Sequence, residues 1–424
     1  MHRKSGYVTR QAKRLSDGEI NRRRFVMSAL SAGVTMPTAL SLASKAEARQ
    51  PKQGGLLRVA TGDGSPFQPD LSEASNGFSS LLAFAQGNCL TERTAKGDLV
   101  GELAESFKAS ADHTVWHFTL RRDVLFHSGQ PLAVSDVITS LARERARLPH
   151  MVDLRPDGSR RITITLDRPD IHFAHRLADP AFVVTSENEH AMTGAYRLDH
   201  AQDGHRVHLV RTPEYWKPGR GFFDAVEIVA LPGLAARQMA VMAGDVDYAD
   251  QIDPRGLALL QRAPGIEILE TRQARVLTLG AERQEPLEHI APALPCQAIV
   301  EQILLGHGTA AQTVTGAGTP MPLSPIRLAV HDTGVPRTME AARLIAAGLG
   351  QNGIATDIVD PEQADPNAIH IKWQRNALAE TKTPQIVVLW ASDLAAHSIA
   401  LSHGDVATDH ENDGARLIER WWFA

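Results

Sequence analysis

The chain has 424 residues, with 44 Lys and Arg against 49 Asp and Glu and a formal charge of −5 at pH 7. That balance excludes the basic face required for nucleic-acid or anionic-membrane binding. The length exceeds what one hydrophobic core organises, so two or three domains are expected.

The first segment with a clear reading is Asn21, Arg22, Arg23, Arg24, Phe25, Val26 and Met27. Two arginines and a third precede a weakly apolar run from Val26 to Ser44, interrupted by Ser28, Ser31, Thr35, Pro37, Thr38 and Ser41. A spanning helix needs about 20 mostly apolar residues, and this run is too polar and carries a proline. It ends on Ala46, Glu47 and Ala48, a small-x-small cleavage pattern. Basic start, apolar middle and small-residue end read as an export signal over residues 1–48. The segment resembles a twin-arginine leader, with Arg22, Arg23 and Phe25 as the recognised residues and Ala46 and Ala48 flanking the cut. An ordinary secretory leader is the alternative. Removing its nine Lys/Arg and three Asp/Glu leaves 35 against 46, a mature charge of −11.

Beyond the leader, strand-like and helix-like segments alternate. Leu56 to Ala60 reads as a strand after the Gly54-Gly55 turn. Val115 to Leu120 places Trp116, Phe118 and Leu120 on one face, and Arg161 to Leu166 places Ile162, Ile164 and Leu166 on one face. Between them Pro131 to Arg145 reads as a helix with Ser135 and Asp136 near its start, where short oxygen side chains suit the free N–H groups. Val207 to Val210 and Ala225 to Ala230 are further strands. Leu234 to Ala243 is helical and stops at Gly244 in a C-cap position. Short strands are expected at Ile266 to Leu269 and Val276 to Leu279, and a helix from Gln297 to Leu305. The Gly- and Pro-rich tract Thr313 to Pro325 is irregular. Ile326 to Val330, Thr338 to Leu349 and Ala355 to Val359 form a strand–helix–strand unit of the kind that builds parallel sheets. Ile386 to Leu389 is a four-residue strand buried on both faces. Cys89 and Cys296 are the only cysteines; the chain is read as carrying two isolated buried thiols, although an exported protein could join them.

Several of these segments carry a family resemblance. They are Gly54 to Ala60; Leu103, Ala104, Glu105, Ser106 and Phe107; Trp116 through Gly129 followed by Ser135, Asp136 and Val137; Thr193 to Leu198 with Glu214, Tyr215 and Trp216; Ala243 to Asp247; and Trp390, Ala391, Ser392 and Asp393. In that order they resemble the extracellular solute-binding proteins of the peptide/nickel class (family 5), which serve ATP-driven importers. The resemblance implies an α/β, two-lobed periplasmic-binding-protein-like fold of type II with an extra subdomain inserted in the first lobe. Lobe I is expected over 49–85 and 190–265, the insertion over 86–189, lobe II over 266–400 and a short tail over 401–424.

By the same resemblance the protein is a periplasmic monomer with no cofactor. It captures short peptides in a hinged cleft and hands them to an inner-membrane ABC permease and its ATPase subunits. A nickel complex, opine or sugar is the alternative ligand, and a degenerate interaction or sensory module the alternative role. Asp393 occupies the position that meets a peptide ammonium, and Trp390 lies near ligand. A desolvated ammonium needs a compensating carboxylate, and such a charge-assisted bond contributes roughly 1.5–3 kcal/mol. A helix N-cap or a solvated loop acid is the plain alternative for Asp393, as core packing is for Trp390. The family returns to its first lobe through further helices after this point, whereas this chain ends at Ala424.

Other polar and aromatic clusters have structural readings. Trp116, Phe118 and Phe126 are core at strand spacing. His127 fixes local hydrogen bonds. His172 and His175 have helix-compatible ligand spacing and His200, His205 and His208 follow, but 18 histidines make such clusters expected by chance; no metal site is assigned. His403 to Asp413 reads as a solvated acidic tail, with Trp421 and Trp422 docking on the body to hold it down. The chain has no His-Glu-x-x-His motif, no Gly-x-Ser-x-Gly elbow and no phosphate-binding Gly-Lys-Ser/Thr loop, so an enzyme is not expected.

Overall fold

A computed structural model describes residues 7–8, 10–12, 14–15, 20, 22–47, 51–62, 77–187, 191–202, 205–311, 325–331, 337–375, 384–407 and 411–424. Ala48 and most of the 313–325 tract lie outside the described residues. Near the N-terminus, Arg22–Ser31 and Met36–Glu47 are helices packed on each other. Phe25, Ala29, Ala39 and Ala43 close that contact. Among the described residues no helix is long and apolar enough to cross a membrane.

Alternation translates directly into strands. Trp116, Phe118 and Leu120 on Val115–Leu120 and Ile162, Ile164 and Leu166 on Arg161–Leu166 are buried in one core. These strands are the middle pair of a four-stranded antiparallel sheet, with Ala104–Ala109 and Met151–Pro156 outside them. Helix Val134–Arg143 covers it with Val137 and Leu141. Asp136 accepts a hydrogen bond from the Ala133 N–H, satisfying a backbone donor ahead of the first turn. His127 Nε2 lies 3.0 Å from the Gly194 carbonyl, the local role expected of it.

The main sheet has eleven strands. Its order is Thr356–Val359, Ile326–Val330, Ile369–Arg375, Ile266–Gly280, Gln385–Ser398, Tyr248–Ala249, Leu56–Thr61, Ala225–Ala230, Arg206–Arg211 and Tyr196–Gln202, with Gly308–Ala310 pairing Gln385–Ser398 off this path. One half packs around Leu57, Val59, Phe223, Tyr248 and Trp421, the other around Leu277, Leu328, Ile345, Ile371 and Leu389. Helix Leu234–Ala243 ends at Gly244, whose φ of 77° is open to a residue without Cβ. Cys89 and Cys296 are free thiols in separate cores.

Two expected segmentations are corrected. The pair of short strands at 266–269 and 276–279 is one strand, Ile266–Gly280, and the four-residue strand at 386–389 extends over Gln385–Ser398. Polar Thr271 to Arg275 and Ser392 to Asp393 interrupt the hydrophobic pattern without interrupting the backbone, because each strand leaves one core there and enters the other.

The solvated reading of His403 to Asp413 is corrected at Asp413, which is fully buried, whereas Trp421 and Trp422 dock as expected. The chain end returns to the first half of the sheet: Leu401–Ser402 pairs Trp422–Phe423, Lys52 bridges Phe423, and Trp421 is fully buried against Tyr248. An ionic cluster holds the return. Lys217 Nζ lies 2.7 Å from Glu92, 2.5 Å from Glu102 and 2.8 Å from Glu419. Arg416 forks onto both Glu102 oxygens at 2.7 and 2.8 Å. Arg420 bonds Glu92 at 2.8 Å and Asp413 at 3.1 Å, and Trp421 Nε1 donates to Asp413. The sequence hid this because Arg416, Glu419 and Arg420 read as ordinary exposed charges; their partners Glu102, Lys217 and Glu92 lie 314, 202 and 328 residues away. The three glutamates converge as metal ligands do, but the Lys217 ammonium holds the central position.

Burial opposes ionisation of Glu92, yet Arg416, Lys217 and Arg420 outweigh it and hold its carboxyl below the usual range. Burial likewise opposes Glu419, and Lys217 and Arg416 lower it. Burial raises Asp413 against the pull of Arg420, which offsets part of the effect. Carboxyls depressed by folding contribute stability above their unfolded value and lose it as pH falls through the folded one. The unfolding midpoint should therefore drop as pH is lowered from about 5 to about 3; a flat thermal profile over that range contradicts this. Lys217→Met should cost about 3–5 kcal/mol in chemical denaturation, because it leaves three buried carboxylates around one lost cation.

Candidate functional site

Two strands connect the halves of the molecule. Ile266–Thr271 pairs with Asp393–Ser398 on the side of the first core, and Arg275–Gly280 pairs with Gln385–Ala391 on the side of the second. Between these stretches the register shifts: Arg272, Gln273 and Ala274 bulge opposite Ser392, with Gln273 at φ 53°. A bulge with a non-glycine residue in the left-handed region bends the ladder and re-aims side chains. The two lobes therefore meet at a crossover whose irregularity is confined to a few residues.

Asp393 lies inside the second crossover strand, not beyond its end, so neither a helix cap nor a solvated loop describes it. It pairs with Thr271 across the ladder, and its Oδ1 lies 3.8 Å from Arg275 Nε. Thr271, Arg275 and Asp393 are all buried. Directly paired residues share a face, which puts Asp393, Thr271, Arg275 and Ala391 on one side of the ribbon.

Trp390 pairs with Val276 and Thr309 and lies on the other side, because three positions separate it from Asp393 in a regularly alternating stretch. The two residues expected near ligand are thus neighbours along the chain that face apart. On the Trp390 side, Ser392 N–H donates to the His307 carbonyl and His307 Nδ1 lies 3.2 Å from Glu270. Burial pushes the Glu270 carboxyl up, and hydrogen bonds from Ser392 and His307 more than reverse it. Nearby, the Gly62 N–H donates to buried Asp250, and Arg237 ties the Asp250 and Gln251 carbonyls at 3.0 Å each.

Arg22 and Arg23 open the helix Arg22–Ser31, Phe25 is buried in the core this helix shares with Met36–Glu47, and Ala46 lies in that second helix. Sequence reasoning missed Arg275 and Thr271. The available signal was a cation set between two apolar strand-like runs, which reads as a loop until the strand is seen to be continuous.

Comparison with known proteins bears on this geometry. Residues 98–325 match the profile of the bacterial extracellular solute-binding proteins, family 5 middle. The chain is 27% identical over 242 residues to the probable D,D-dipeptide-binding periplasmic protein DdpA of Escherichia coli K12, covering 50% of this chain and 46% of that protein. It is 26% identical over 206 residues to the nickel-binding periplasmic protein of the same organism, covering 43% and 38%. The chain thus spans about half the length of the first of these relatives or less. Among solved structures, the binding protein AgaA from A. tumefaciens R10 in complex with agropinic acid superposes with TM-score 0.75 at 16% identity, covering 87% of this chain and 99% of that one. DppA of Helicobacter pylori in complex with the peptide STSA superposes with TM-score 0.71 at 15% identity, over 88% and 99%. These likenesses establish the two-lobed α/β fold.

Gly308 lets the short strand Gly308–Ala310 approach the second crossover strand, since a Cβ there would meet the Trp390 carbonyl and Leu304 Cδ1 at 2.8 Å each. Gly308→Ala should destabilise the fold by roughly 1–3 kcal/mol in thermal or chemical unfolding, and a neutral result would refute the close approach.

Proposed function

Because the chain belongs to the bacterial extracellular solute-binding proteins of family 5, we propose that it captures a short peptide between its lobes and delivers it to an ABC importer. The observation that carries this reading is the buried Asp393–Arg275 pair at the lobe crossover. A carboxylate placed there compensates a peptide ammonium that loses its water on closure, and a guanidinium beside it serves a ligand carboxylate. Closure follows from ligand contacts made only in the closed state. Trp390 lines the opposite side of the ribbon and shapes the approach rather than sharing the Asp393 contact.

Arg275 also favours a second reading. It already offsets the Asp393 charge, so an acidic solute of the opine kind fits the pair as well. The full chain should be unfolded thermally against di- to pentapeptides, opines, sugars and nickel. A true ligand at 100 times its Kd stabilises by about 2.7 kcal/mol. A peptide shift that disappears in Asp393→Ala supports function and site together. An opine shift that disappears in Arg275→Ala selects the second reading, and no shift with any member of the panel overturns both.

On the same reading, residues 1–48 are an export leader of the twin-arginine kind cut after Ala48, and the mature protein works outside the cytoplasmic membrane. Lobe I comprises 49–85 and 190–271 together with the returning 393–424, with 86–189 inserted, and lobe II comprises 275–391. A reporter fused to residues 1–48 should be exported, and should be retained when Arg22 and Arg23 are both changed to Lys; export unaffected by that change excludes the twin-arginine route.

A further inference from the structure

The outer hairpin of the main sheet, Tyr196–Gln202 with Arg206–Arg211, carries a group of side chains that the lobe crossover does not use. His200 and His208 are directly opposite each other in the ladder, and their rings stack at 4.9 Å with 20° between planes. Asp199 adjoins His200 in sequence, so in a regular strand it would point to the opposite face. The register shifts between Leu198 and His200, which makes Asp199 the extra residue of a bulge. Its Oδ2 therefore lies 2.9 Å from His200 Nδ1 and 3.2 Å from His208 Nδ1.

We propose that Asp199 Oδ2, His200 Nδ1 and His208 Nδ1 form a surface site for a borderline divalent transition ion of the Zn2+, Ni2+ or Cu2+ class. Imidazole nitrogen and carboxylate bind such ions at about 2.0–2.2 Å, which sets the donors of one ion roughly 3.0–3.5 Å apart. The two observed nitrogen–oxygen spacings meet that requirement with little movement, and the three donor atoms all lie within 4.8 Å of one another. The bulge is the device that brings the carboxylate to the imidazoles. Binding takes each ring as the neutral tautomer with its proton on Nε2 and Nδ1 free to ligate, and displaces part of the ion's water shell. Asp199 and His200 are exposed and His208 partly so, leaving the remaining coordination positions open to water or a further donor. Glu227, opposite His208 on the next strand, is held by Arg206 at 2.6 Å and stays outside the donor set.

The site is independent of the crossover ligand, and its test separates the two. Untagged full-length protein should be titrated calorimetrically with Ni2+ and with Zn2+ alone, beside the His200→Ala/His208→Ala double variant and Asp199→Asn. Wild type should bind one ion more than the double variant, and Asp199→Asn should weaken that ion about tenfold or more. The metal-free unfolding midpoints should match, since all three side chains lie on an edge hairpin. Copper loading should add imidazole-nitrogen hyperfine structure in wild type that the double variant lacks. Equal stoichiometry in wild type and double variant, or no ion bound by either, overturns the proposal.

Discussion

The fold depends on a charge cluster taken out of water. Glu92 and Glu102 come from the segment leading into the four-stranded body, Lys217 from the turn after the outer hairpin, and Arg416, Glu419 and Arg420 from the end of the chain. Isolated, each of these ions would be strongly disfavoured in an interior; together each carboxylate finds a cation and each cation finds carboxylates. Tyr215, Asn88 and the Cys89 N–H satisfy remaining lone pairs at 2.8–3.0 Å. Packing alone could be met by several arrangements of these segments. Pairing every charge is a stricter condition, and it ties three distant parts of the chain into one lobe.

That lobe is the fixed platform on which the crossover works. The ladder between the two connecting strands is interrupted at the Arg272–Ala274 bulge and again at Val388, between the Leu277 and Thr278 pairs. The ion pair of Asp393 and Arg275 flanks the first of these breaks. In the proposed function, ligand recognition and closure share this one place.

The outer hairpin shows a different use of an irregular strand. An edge strand carries unpaired backbone groups and is exposed to wrong pairing. Here the edge strand is exposed from Arg197 to Gln202 and carries Arg197, Asp199, His200 and Gln202, and a bulge turns Asp199 onto the face of a stacked histidine pair. The edge bulge places a carboxylate where plain alternation would not, whereas Asp393 keeps the alternation of its own strand opposite the crossover bulge.

Local pattern was enough for much of this protein. Strands such as Val115–Leu120, Arg161–Leu166 and Ala225–Ala230, the helix capped at Gly244 and the two separate thiols follow from period and from glycine chemistry, which act between near neighbours. The family signature likewise rests on contiguous residues. Asp393 was legible as a candidate, but Arg275 was not, because its partner is 118 residues away and its strand looked broken. The same holds for Arg416 and Arg420, whose charges imply solvent until Glu102 and Glu92 are brought against them. Sequence by itself determined which segments become strands and helices, since backbone propensity and side-chain period are local. Only the tertiary structure decided which charges are buried, which strand spans both lobes and where the chain end docks, since those depend on electrostatic partners that are remote in sequence.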